Sequence, residues 1–71
     1  MPGMTIEDFE GLDQAQRLEA IWNMGDFVSQ FSDERYNYEL YSIQNFLVEI
    51  VSEKNIRNSF CIRLKKALAG N

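Results

Sequence analysis

Residues 36–53, YNYELYSIQNFLVEIVSE, leave a chain of this size few ways to fold. The stretch is dense in Tyr, Phe, Ile and Val, which suit a pleated, half-buried surface. Two runs of about eight residues flank Gln44-Asn45, a spacing that predicts a β-hairpin closed by a two-residue turn. With that turn, Ile43 faces Phe46, Tyr41 faces Val48 and Glu39 faces Ile50, all on one side of the sheet because the strand period is two. The opposite side collects Tyr36, Tyr38, Leu40, Leu47 and Val51, interrupted by Ser42, Glu49 and Glu53. An antiparallel sheet with one wet side alternates cleanly between apolar and polar, so two apolar faces require a cover on each. A helix of the same chain can supply one cover and a second copy the other.

The segments before the hairpin supply the helix and a further strand. Residues 1–4 are expected to be disordered. Thr5 reads as the N-cap of a short helical turn that Gly11 ends, with carboxylates at its positive end. Asp13 with Gln16 three residues on predicts a second cap, and Ala15, Leu18, Ile21 and Trp22 align as one apolar stripe over a helix at 13–24. Trp22 is the expected anchor of that helix on the sheet. Gly25 stands where a left-handed C-terminal residue belongs. Next, DFVSQFS at 26–32 alternates Phe27, Ser29 and Phe31 against Val28, Gln30 and Ser32, a period-two pattern predicting a first strand. A polar turn at 32–35 leads into the hairpin, so residues 26–53 form a three-stranded meander.

Beyond Glu53 two patterns compete. Ile56, Phe60, Leu64 and Leu68 recur every four residues, with Lys65-Lys66 in the last turn and Gly70 as a cap, which predicts a helix at 59–69. Phe60, Ile62 and Leu64 also alternate with Cys61, Arg63 and Lys65, as a fourth strand would require. With the helix favoured, the expected fold class is α+β: an N-terminal helix, a three-stranded antiparallel β-meander and a C-terminal helix in a single domain spanning 1–71.

Composition then narrows the chemistry. The chain has 71 residues, of which 45% are apolar, enough for a folded core but a small one. One cysteine, Cys61, rules out an intrachain disulfide and reads as a small core residue. The absence of histidine removes the usual zinc ligand and the commonest general base, and no glycine-rich phosphate loop occurs. No cofactor, no metal and no enzymatic activity are expected; Glu39 and Glu49 point to opposite faces and cannot act as a pair. No membrane span or signal segment is visible, so the expected location is cytoplasmic.

Trp22-x-x-Gly25, followed by a short strand and by Tyr38-x-Leu40-Tyr41-x-Ile43-x-x-Phe46-x-Val48-Glu49-Ile50, resembles a group of small uncharacterised α+β proteins of Bacteroidetes-type bacteria. The resemblance covers residues 22–50 and implies a helix followed by a β-meander. It implies no activity, and the sequence departs from the pattern after Val51.

Two function classes remain. A small interaction or structural module would work by homodimerisation, or with another protein, through Tyr36, Tyr38, Leu40, Leu47 and Val51, because that many large groups are seldom left wet. A regulatory nucleic-acid binder would use a basic patch of Arg57, Arg63, Lys65 and Lys66. Charge favours the first. Residues 1–53 hold all 11 acids and two of the seven cations, a balance of −9, while 54–71 carry +5. An acidic majority repels phosphates around the patch.

Overall fold

The computed structural model describes residues 3–57 and 59–67. Two helices come first, α1 (Ile6–Glu10) and α2 (Gln14–Met24), and four strands follow: β1 (Asp26–Ser32), β2 (Tyr36–Ile43), β3 (Phe46–Glu53) and β4 (Phe60–Ala67). The strands form one antiparallel sheet in the order β1-β2-β3-β4. The α+β class holds, but the expected three-stranded sheet with a C-terminal helix does not: residues 60–67 are a fourth strand. Leu68 and Gly70, assigned to that helix, lie outside the described residues, as do Met1 and Pro2 of the expected disordered start.

Capping sets both helix starts. Thr5 Oγ1 accepts from Asp8 N at 3.0 Å while Asp8 Oδ2 accepts from Thr5 N, and Asp13 and Gln16 repeat the exchange at α2. Each pairing satisfies two of the N–H groups a helix start leaves open. Arg17 then joins the helices, donating from Nε to Phe9 O at 3.2 Å and from a terminal nitrogen to Glu10 O at 3.0 Å. Those carbonyls belong to the last turn of α1, where a cation meets the negative end of the helix. Gly25 is extended (φ −87°, ψ 150°) rather than left-handed. It remains a glycine position because a Cβ there would sit 2.6 Å from Ile21 O.

The hairpin has the register read from its sequence, with Ile43 opposite Phe46, Tyr41 opposite Val48 and Glu39 opposite Ile50. Gln44 enters the turn at φ 52°, the left-handed region a tight reversal needs. Ile43, Phe46, Val48, Ile50 and Ile62 face the helices and close a core with Phe9, Ala20 and Ile21. Phe9 is its plug. It is 1% exposed, its ring centroid lies 5.6 Å from that of Phe46, and the Arg17 guanidinium lies over its ring at 5.5 Å.

Trp22, the expected anchor, is instead 72% exposed, because Ala20 and Ile21 turn the buried face of α2 about one residue away from the predicted stripe. Cys61 is exposed rather than in the core. It pairs with Val51 on the sheet face that carries no helix.

Candidate functional site

Among the described residues that second face is open. The shortest dimension of the molecule is 16 Å, room for the sheet and one layer of helix but not for a third layer, since layers pack about 10 Å apart. In the described residues both helices lie on the Phe46 side. Residues 60–67, expected as part of a helix, form β4 instead, and the face includes side chains from all four strands.

Cross-strand register places them. Ser29, Leu40, Glu49 and Arg63 lie in one row, and Phe31, Tyr38, Val51 and Cys61 in the next. Four of the five expected interface residues, Tyr36, Tyr38, Leu40 and Val51, thus stand together and half-buried; Leu47 lies on the same face toward the hairpin end, beside Lys66. Phe31, 61% exposed, joins them. Its position was hidden in the sequence by a bulge at Val28. The regular alternation puts Phe27 and Phe31 on one side, but the register slips between Phe27 and Ser29, so Phe27 meets Tyr41 and Phe31 meets Tyr38 on opposite faces.

Asp33 organises the aromatic end of the face. Its Oδ1 accepts from the backbone N–H groups of Arg35 at 2.9 Å and Tyr36 at 2.8 Å, closing the β1–β2 turn, and its Oδ2 accepts from the Tyr38 hydroxyl at 3.1 Å. Those backbone donors hold its carboxyl below the usual value of 3.8. Tyr38, so oriented, stacks on Phe31 with centroids 4.5 Å apart and rings 11° from parallel. Loss of solvent around its hydroxyl, and then the bond to Asp33, push the Tyr38 pKa up. Behind this stack a groove of about 130 Å³ runs between Ser29, Leu40, Glu49 and Lys65.

Glu49 is the one buried charged residue among those described, 5% exposed. Arg63 donates to its Oε1 at 2.6 Å, and Lys65 Nζ stands 3.9 Å from Oε2. The carboxylate holds the guanidinium in its charged form and raises the Arg63 pKa. Glu39 lies across the sheet from Glu49, on the helix side, where the Tyr41 hydroxyl donates to it at 3.4 Å. Two of the four residues of the expected basic patch are therefore engaged with an acid. Arg57 is separate from them, in the exposed β3–β4 turn.

Among the described residues no group of His, Cys, Asp and Glu is placed to hold a metal ion, and no helix is long and apolar enough to cross a membrane. A concavity of about 350 Å³ between residues 3–7 and 44–46 converges no charged cluster and lies away from the open face. No family model, no curated protein and no solved structure matches the chain.

Proposed function

We propose that the chain is a small interaction module whose working surface is the open sheet face and whose partner there is a second copy. The observation that carries this reading is the patch of Phe31, Tyr38 and Leu40, in two adjacent rows, on the face of the sheet that carries no helix among the described residues. Four strands about 4.8 Å apart and eight residues long at about 3.3 Å each present a flat area of about 500 Å². Two such faces together bury about 1,000 Å², the lower bound for a specific interface. The aromatic rows supply rigid anchors, Glu49 pairs with Arg63, and the half-exposed Lys65 can keep its ammonium in water, so a copy can approach without burying an unpaired charge. A reducing, cytoplasmic location belongs to the same reading, since the exposed Cys61 thiol stays free there.

A regulatory nucleic-acid binder is the second reading, supported by the sharing of one face by Phe31, Tyr38, Arg63 and Lys65. Glu49 weakens it by engaging Arg63 and standing beside Lys65, which leaves the group one net positive charge for a phosphate.

Light scattering across a concentration series tests the first reading. An interface at the lower size limit is expected to be a weak one, so the dimer is sought at about 100 µM. Leu40→Lys, a charge in the middle of the face, should return the chain to monomer while leaving far-UV circular dichroism unchanged. A wild-type monomer at that concentration overturns the proposal. A salt-sensitive gel shift with single-stranded oligonucleotides would favour the second reading instead.

A further inference from the structure

The two free edges of the sheet are built to fit each other. β2 and β3 are regular, and between the level of Asp26 and the level of Ser32 each contributes one residue per row: residues 42 to 37 on β2 and 47 to 52 on β3. Each edge strand spends one residue more over the same height. On β1 the extra residue is Val28, between Phe27 and Ser29; on β4 it is Lys65, between Leu64 and Lys66. A bulged strand opposes two residues to one of its neighbour. Two strands with the same excess, at adjacent rows of the same sheet, instead match each other residue for residue.

We propose that β1 of one copy adds to β4 of another, head to tail and antiparallel, extending the sheet. The register follows by carrying the rows of Asp26 and of residues 29–32 across the molecule and matching, by number, the two residues left between them on each strand. Asp26 meets Lys66, Phe27 meets Lys65, Val28 meets Leu64, Ser29 meets Arg63, Gln30 meets Ile62, Phe31 meets Cys61 and Ser32 meets Phe60. Strand direction agrees, because four antiparallel strands leave β1 and β4 pointing opposite ways.

The side chains select this pairing over the two symmetric ones. Every residue of β1 is exposed, and from Phe27 to Ser32 the strand carries no charge, so nothing on it repels an incoming strand. Pairing β4 with β4 would set Arg63 against Arg63 and bring Lys65 and Lys66 alongside, and like charges directly opposite destabilise a sheet. Pairing β1 with β1 in the register that sets Ser29 against itself would bring Asp26 beside the partner's Asp33. Head-to-tail pairing sets Asp26 against Lys66 and covers Val28 and Leu64, which are 48% and 37% exposed in the single chain. It also uses the charge asymmetry of the chain, since the acid-flanked edge lies in the −9 segment and the basic edge in the +5 segment.

This contact uses the sheet edge and stands independently of the face-to-face dimer. Directly opposite residues on paired strands bring their Cβ atoms to about 5 Å, close to disulfide reach. The test mixes two chains, both carrying Cys61→Ser: one with Val28→Cys, the other with Leu64→Cys. Oxidised glutathione takes up the two hydrogens lost as the two thiols join. The mixed disulfide is expected to form at least about tenfold faster than either homodisulfide, because only that pair stands opposite. Adding Leu40→Lys to both chains removes the face contact and should leave the mixed product unchanged, so failure of the dimer proposal cannot be mistaken for failure of this one. Lys66→Glu in the Leu64→Cys chain should slow the mixed product, and Asp26→Lys in the other chain should restore it. Equal rates for all three disulfides, or no mixed product from chains whose circular dichroism is native, would overturn the pairing.

Discussion

Truncating Phe9 and Trp22 separates two accounts of what fastens the helices to the sheet. Trp22 is the chain's only tryptophan and the largest side chain on α2, yet it is 72% exposed; Phe9, on a five-residue helix, is 1% exposed. A tryptophan of about 250 Å² with that exposure buries roughly 70 Å², about 2 kcal/mol at ~25 cal/mol per Å². Alanine keeps part of the contact and gains about 0.5 kcal/mol of helix propensity, so Trp22→Ala should cost about 1 kcal/mol. Phe9 fills the space between Phe46 and Arg17, and removing a buried phenylalanine costs about 3–5 kcal/mol, including the cavity left behind. A chain this short has a total stability of about 4–10 kcal/mol, so that loss is a large fraction of the whole. Urea unfolding should be followed by far-UV circular dichroism, because Trp22→Ala removes the only indole. With a slope near 1 kcal/mol per molar urea, the midpoint should fall by about 1 M for Trp22→Ala and about 3–5 M for Phe9→Ala. Equal shifts, or a larger one for Trp22→Ala, would refute the assignment of Phe9 as the plug.

Other changes probe the turns and the open face. The Asp33 carboxyl is held below 3.8, so its contribution is complete above that value and is lost as pH falls through its lower folded-state pKa. Asp33→Ala should therefore destabilise at pH 7 and flatten the acid limb of stability against pH; an unchanged limb refutes the role. Gln44→Gly removes the penalty of φ 52° and should stabilise by about 0.5–1 kcal/mol in a thermal melt. Arg63→Met should destabilise more than Glu49→Met, because the first leaves a carboxylate at 5% exposure without its nearest partner while the second leaves a half-exposed guanidinium to water; equal melting temperatures would contradict this. The Cys61 thiol should react with a maleimide in the native state, and more slowly as concentration rises if the open face self-associates.

Much of this architecture is legible in the residues because it rests on short-range rules. Thr5 with Asp8 and Asp13 with Gln16 announce helix starts through a bond only three residues long, and the hairpin register follows from its turn and the period of two. What escapes is set by distant partners. The α2 stripe predicts Trp22 inward, but burial on α2 is decided by the orientation that fits Ile21 against the sheet, and Trp22 falls outside it. Phe9 sits on a helix too short to show a period, so nothing local marks it as core. The Val28 bulge leaves the alternation of 26–32 intact in the sequence while moving Phe27 to the other face, and no local residue preference announces it. The open face itself was legible as far as Tyr36, Tyr38, Leu40, Leu47 and Val51. Its partners Phe31, Arg63 and Lys65 emerge only from cross-strand pairing.

The choice between helix and strand for residues 60–67 turns on the edge of β3. Were that segment a helix, Phe46, Val48 and Ile50 would lie on a free edge whose backbone N–H and C=O groups were unpaired, the kind of hydrophobic edge that draws in foreign strands. As β4 the segment pairs that edge, buries Ile62 at 3% exposure, and puts Arg63, Lys65 and Lys66 on the new outer strand, where lysines and arginines discourage like strands from adding. The same eight residues could not also roof the open face. Protecting β3 therefore leaves Phe31, Tyr38 and Leu40 without a helical layer over them among the described residues, and the face the proposed dimer would use follows from how the chain solved its edge. β1 received no equivalent charges, and its extra residue is matched in number by a strand with the same irregularity. In the described sheet that strand is β4, whose cations oppose its own kind but not the acid-flanked β1.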